Sequence, residues 1–261
     1  MKRILLTFDV EEFDLPREFN QNISEEEMYE ISKNGLFAVI NLLDKHSIKA
    51  TFFTTSNFAK KYPKIIKDLS KQGHEIACHG YSHSDDYLNS LSNIKIAKQE
   101  IEKIIKSKIN GFRAPRFKIK NILGLSEFGF IYDSSLHPTW IPGRYMNLFK
   151  KRKIHKIEDI TEIPLSTLPI LRLPIFWLAF KNFGLNYAKL FTKINFLFSD
   201  YTMLFFHPWE FENLENFRIP ELIKGKSGIR LINLLKNYIL FCKKNNYSFD
   251  TISNYFQKSL R

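Results

Sequence analysis

The chain has 261 residues, 44% of them hydrophobic and 25% charged, which fits a globular protein and excludes a disordered or fibrous one. Its 39 Lys and Arg outnumber 27 Asp and Glu, giving a net charge of +12. The lysines are dispersed apart from short clusters such as 150–153, and no interleaving of basic and aromatic residues marks an RNA-binding module, so no nucleic-acid partner is expected. In chain order, the apolar run 3–8 predicts a buried strand. Ser24, with Glu27 three residues later, forms a capping box that opens a helix to about Lys45, with Phe37, Ile40 and Leu43 on its apolar face. Residues 49–54 predict a second strand. Pro63 starts a short helix to Gln72, and Gly73 is placed to cap its end. A third strand covers 75–78, and Ile94, Ala97, Ile101, Ile104 and Ile105 give 93–106 a helical period. A short strand at 111–114, a helix at 121–128 ending at Gly129, and strands at 130–132, 162–166 and 202–206 follow. A helix over 228–245 and a closing strand at 247–249 complete the pattern. Such alternation predicts parallel βαβ units in one domain spanning 1–261. The stretch 141–199 fits the alternation worst and is a candidate insertion.

Two cysteines, Cys78 and Cys242, cannot build a disulfide framework, which points to a reduced, cytoplasmic setting. Asp9 and Glu11 end the N-terminal apolar run too early for a secretory leader. No stretch approaches the roughly 18 apolar residues of a membrane span. Peripheral membrane contact and oligomeric state stay open.

Polar residues with chemical potential sit at the ends of the predicted strands. Asp9 and Glu11 project to the same side of an extended chain, where two carboxylates repel unless a proton or cation lies between them. His79 and His83 are four residues apart and meet on one face of a turn. Two imidazoles and one carboxylate form a ligand set that leaves an open position on a catalytic zinc. Arg113, in an Arg-Ala-Pro-Arg-Phe run, can orient a carboxylate. His207 leaves the apolar run Leu204-Phe205-Phe206 just before Pro208 and Trp209, and a histidine there can donate a proton near neutral pH. Each piece alone has an ordinary reading as a solvated acid or a satisfied histidine.

In this order the pieces resemble the polysaccharide deacetylases, the NodB-homology proteins or carbohydrate esterase family 4, over most of the chain from Leu5 to about Phe256. The segments 113–117, 129–138, 162–167 and 205–211 look like the branch associated with exopolysaccharide loci. The resemblance implies an α/β fold, a single-domain distorted (β/α) barrel of about seven strands, and a divalent metal such as Zn2+ or Co2+. It also implies hydrolysis of N-acetyl groups from an amino-sugar glycan. Asp9 then matches the catalytic base, Arg113 its orienting arginine, His207 the general acid, and His79 and His83 the metal-binding histidines. Val10 stands where many members have the metal-binding aspartate, so Glu11 is the expected ligand, with Glu12 in reserve. The family's Asp-Trp support for the acid histidine has no secure match, although Asp133 and Trp140 lie nearby. Alternatives are hydrolysis of a small cyclic amide or ureide, and a metal-free carbohydrate-binding protein.

Overall fold

The computed structural model describes residues 1–83, 90–119 and 122–259. The first strand, β1 (Arg3–Val10), is buried from Ile4 onward. It leads into α1 (Glu25–Lys45), whose Ser24 N-cap hydroxyl accepts from the Glu27 amide at 3.1 Å. Next come β2 (Thr51–Thr54), α2 (Ser56–Lys61), α3 (Pro63–Lys71), β3 (Glu75–Cys78) and α4 (Leu91–Ile105). Short segments follow: β4 (Gly111–Phe112), α5 (Gly124–Glu127), β5 (Tyr132–Asp133), the hairpin β6 (Trp140–Ile141) and β7 (Tyr145–Met146), β8 (His155–Ile157) and β9 (Ile160–Glu162). The chain ends with α6 (Trp177–Asn195), β10 (Tyr201–Phe206), α7 (Glu221–Lys224), α8 (Ile229–Lys244), β11 (Ser248–Phe249) and α9 (Ile252–Ser259).

The main sheet runs β10-β1-β2-β3-β4-β5-β9-β8, with β11 beside the start of β1. Every pairing from β10 to β9 is parallel, and only β8 is antiparallel to its neighbour. The sheet curls into a partial barrel. Among the described residues no backbone ladder joins β9 to β10. Side chains bridge the gap instead: the Met203 amide donates to Ser166 Oγ at 2.8 Å, and the Tyr201 hydroxyl donates to the Pro164 carbonyl at 2.8 Å. The predicted strand at 162–166 is therefore mostly irregular, because Pro164 has no N–H for a ladder.

Side-chain alternation divides β1 between two cores. Leu6, Phe8 and Val10 pack outward against α1 and neighbouring helices, whereas Leu5 joins Phe53, Tyr132, Met203 and Phe205 inside the barrel. Thr7 and Asp9 share the inward parity, which is what places an acid at the mouth. Of the predicted apolar face of α1, Leu43 is buried and Ile40 half-buried against the core, but Phe37 is 45% exposed and the buried stripe runs through Leu36 and Val39 instead. The helix predicted at 121–128 is a single turn, and its predicted start at Asn121 lies outside the described residues. Within 141–199, β9 joins the main sheet and α6 packs against β10 and α8.

Candidate active site

The C-terminal strand ends meet at a cleft of ≈ 350 Å³ whose walls include Asp9, Glu11, His79, His83, Trp177 and His207. Arg113 lies beneath it, fully buried. Its guanidinium donates to Asp9 Oδ1 at 2.7 Å, to Thr7 Oγ1 at 2.9 Å and to the Ser134 carbonyl at 3.1 Å. The ring of Phe53 lies flat beneath it, 4.0 Å from the guanidinium carbon. Such a fork is charge-assisted and has little rotational freedom, so it fixes the Asp9 carboxylate.

Glu11 stands at the centre of the cleft. Its Oε2 is 3.1 Å from His79 Nε2 and 3.4 Å from His83 Nε2. Its Oε1 accepts from the Trp209 indole at 3.3 Å and is 3.8 Å from His207 Nε2. Glu12 has the opposite parity and turns away, accepting from the Tyr29 hydroxyl and the Thr55 hydroxyl, each at 3.3 Å. Burial drives the Glu12 pKa upward, whereas for Glu11 the positive field of His83 and His207 overcomes burial and lowers it.

The far sides of the two metal-type rings are engaged. His79 Nδ1 donates to the Arg113 carbonyl at 2.8 Å, and His83 Nδ1 donates to Asp14 at 2.9 Å. A carbonyl only accepts, so His79 carries a proton on Nδ1 and turns Nε2 toward Glu11. Three donors facing one another need a proton or a cation between them. In the structure the proton role falls to His83: burial opposes its charge, but Glu11 and Asp14 raise its pKa to about 9. Among the described residues no trio of His, Cys, Asp and Glu stands as a closed cation cage. The donor chemistry nevertheless fits a divalent ion. Separations of 3.1 and 3.4 Å bracket the about 3.3 Å between donors expected of a tetrahedral site, and the engaged Nδ1 atoms are the outer-shell bonds that metal-binding histidines make.

His207 rests on Glu210, whose Oε1 accepts from its Nδ1 at 3.0 Å and its backbone N–H at 2.8 Å. Burial disfavours the charged ring, but Glu11, Glu210 and Asp9 outweigh it and raise its pKa. Trp209 stacks on the ring at 4.8 Å, and Trp177 meets its edge at 5.4 Å. Glu210 is itself fully buried, with Lys181 Nζ 3.7 Å from its Oε2.

Residues 1–126 match the family model described as polysaccharide deacetylase. Over that N-terminal stretch the chain is similar to the polysaccharide deacetylase family. It is 37% identical over 60 residues to a peptidoglycan-N-acetylglucosamine deacetylase from Bacillus cereus, covering 20% of this chain and 22% of that protein. It is 29% identical over 114 residues to a peptidoglycan deacetylase from Helicobacter pylori, covering 39% and 37%. The chain thus spans well under half the length of these curated relatives. A solved polysaccharide deacetylase structure from Mycobacterium smegmatis superposes with a TM-score of 0.65 at 17% identity, covering 98% of this chain and 89% of that one, which shows the shared fold.

Of the catalytic and metal-type residues singled out from the sequence, Asp9, Glu11, His79, His83 and His207 line the one cleft and Arg113 lies beneath it, while the reserve Glu12 is not on its wall. The support for His207 was missed: it is Glu210, three residues on, and its place in the Pro-Trp-Glu turn was the available signal. Asp133 is not that support. It lies in a second groove beside Glu162, bonded to Ser135, and burial raises the pKa of both acids. Trp140 is 56% exposed, and the rings against His207 are those of Trp177, Phe205 and Trp209. Asp14 was also missed, because a loop acid in a 3₁₀ turn has no periodic signature.

Proposed function

We propose that this chain is a metal-dependent hydrolase that removes N-acetyl groups from an amino-sugar glycan. The carrying observation is the convergence of Asp9, Glu11, His79, His83 and His207 on a single cleft. Its relatives' names, peptidoglycan deacetylases among them, support the substrate class. Glu11, His79 and His83 are the residues that would hold a divalent cation, zinc or cobalt, which when bound polarises an acetyl carbonyl and lowers the pKa of water.

The chain's own residues supply the rest. Asp9, locked by Arg113 at 2.7 Å, accepts the proton of the attacking water. Attack makes a tetrahedral carbon bearing the amine, and the amine is expelled only when protonated. His207 keeps Nδ1–H on Glu210, so its Nε2 faces the cleft and delivers that proton to the sugar nitrogen. Trp209, stacked on the ring, and Trp177, edge-on to both, exclude water from this side and hold the imidazole plane. No serine or cysteine nucleophile is required: Cys78 is fully buried and burial pushes its thiol up to about 12.

Acetate release from a panel of N-acetylated oligosaccharides, with zinc and after chelation, tests the reading. Zinc-dependent release is expected. Absence of release from every glycan, with turnover of a cyclic amide or ureide, would overturn it.

A further inference from the structure

The region around the cleft has an unusual charge. Between residues 134 and 199 the only acids are Glu158, Asp159 and Glu162, against ten Lys and Arg. Elsewhere acidic and basic residues are mixed. The same region also places large apolar side chains in solvent: Phe149 and Ile170 are each 94% exposed, Leu171 71%, Met146 70% and Trp140 56%. Single exposed apolar residues are ordinary, but a cluster of this size on one face marks an interaction surface.

Topology puts these residues on the face that carries the cleft. The β6–β7 hairpin follows the C-terminal end of β5, and the 168–173 loop follows the C-terminal end of β9. Trp140 and Met146 are register partners on the hairpin, whose Ile141, Arg144 and Tyr145 line the cleft. The loop is tied to it, since Thr139 Oγ1 donates to the Arg172 carbonyl at 2.7 Å. Arg152 Nε donates to the Thr167 carbonyl at 2.9 Å from the other side. Within the loop, the Leu168 amide bonds the Leu173 carbonyl at 2.9 Å, closing a tight turn with Ile170 and Leu171 at its tip. Ile170 has φ +62° and Arg172 φ +53°, so a β-branched residue is held in a strained conformation that presents it outward.

We propose that this face docks on an anionic lipid bilayer, with Trp140, Met146, Phe149, Ile170 and Leu171 entering the headgroup region. The exposed Lys150, Lys151 and Lys153 engage the headgroup phosphates. Aromatic and aliphatic tips among an excess of Lys and Arg over acids are the composition of an interfacial anchor. No helix among the described residues is long and apolar enough to cross a membrane, so the contact is peripheral. Docking stands apart from the deacetylase reading. Where that reading also holds, the cleft faces the bilayer and its substrate is an amino sugar presented at a lipid surface.

Vesicle co-sedimentation of the full chain tests this. The chain should partition onto phosphatidylglycerol vesicles about tenfold more strongly than onto phosphatidylcholine, and high salt should weaken the binding. The triple variant Phe149→Ser, Ile170→Ser, Leu171→Ser should bind phosphatidylglycerol about tenfold more weakly. Phe149→Ser alone, at a fully solvated position, provides a partial loss if the triple variant fails to fold. Equal binding to both lipids, or wild-type binding by folded variants, overturns the proposal. So does concentration-dependent self-association that these substitutions abolish without any effect of lipid, since the patch then serves a second copy of the chain. Acetate release from a soluble glycan, read on the same variants, should be unchanged, which separates failure of docking from failure of catalysis.

Discussion

At the level of single residues, the site turns on a two-residue parity. Asp9 and Glu11 share the inward face of β1 and its extension, and Glu12 falls on the outward side against Tyr29. A direct consequence is that Glu11→Gln should lose bound zinc, read by metal content after gel filtration, whereas Glu12→Gln should keep it. Equal loss from both would place the ligand elsewhere. Glu210 makes a different prediction. It touches no reacting atom and acts through His207, by holding the Nδ1–H tautomer. Glu210→Gln can reverse that bond by donating its amide N–H to Nδ1, and it removes the carboxylate that supports the imidazolium needed to deliver a proton from Nε2. The expected result is a fall in kcat of about 10²-fold with KM nearly unchanged, within the range for losing a positioned acid. Aryl acetate hydrolysis should suffer much less, since a phenolate leaves without protonation. Equal losses on both substrates would show that Glu210 only supports the fold.

At the level of elements, α1 and the 3₁₀ turn Pro208–Phe211 are packed backbone to backbone. A Cβ at Gly35 would stand 1.9 Å from the Pro208 carbonyl oxygen. Only hydrogen fits there, and the turn it presses against carries His207, Trp209 and Glu210. Gly35→Ala should therefore destabilise by about 1–3 kcal/mol, the usual cost of overpacking, and should reduce acetate release beyond what unfolding explains. A thermal melt beside an activity measurement separates the two, and a wild-type melt would refute the close approach. This coupling is not legible in the sequence, because Gly35 reads only as a weak helix residue. The strands and caps of the first half were legible, since period-two burial, Ser24, Pro63 and Gly73 act locally. The region 141–199 was not. Its hairpins are two or three residues long, and α6 is interrupted at Gly184, with φ +78° and ψ −167°, so no steady period survives. Chain order alone brought the six catalytic-type residues together; Glu210 and Asp14 acquire meaning only when their partners are in place.

At the level of the whole molecule, two buried histidines outside the cleft set the acid limit of the fold. His74 Nδ1 accepts from the Ala50 amide at 3.2 Å, a bond that requires the neutral ring. Burial, helped by Lys49, lowers its pKa to about 4. His137 packs between Phe117, Phe176 and Phe205, and burial together with Arg113 lowers its pKa to about 3. Among the described residues the Nε2 atoms of both rings have no hydrogen-bond partner. Both folded-state values lie below the roughly 6.5 of an unfolded histidine. Above about pH 6.5 the two states are alike and the full stability is present. As pH falls below that, the unfolded chain takes up protons first, and stability declines by up to about 1.4 kcal/mol per pH unit for each histidine. His83 works in the opposite sense. Its pKa is raised to about 9, so its contribution is lost only as pH rises toward that value and is constant in the acid range. The acids whose pKa burial raises, Glu12, Asp133 and Glu162, act in the opposite sense, since the folded chain takes up their protons first, so the slope of the whole protein is a balance and the histidine share is read by substitution. In urea unfolding from about pH 6.5 to 5, His137→Gln, which can keep a bond to the Tyr145 hydroxyl, should gain stability relative to the unaltered chain as pH falls. An unchanged slope in a folded His137→Gln variant would mean that the ring is protonated in the native state and that its environment is more polar than its packing implies.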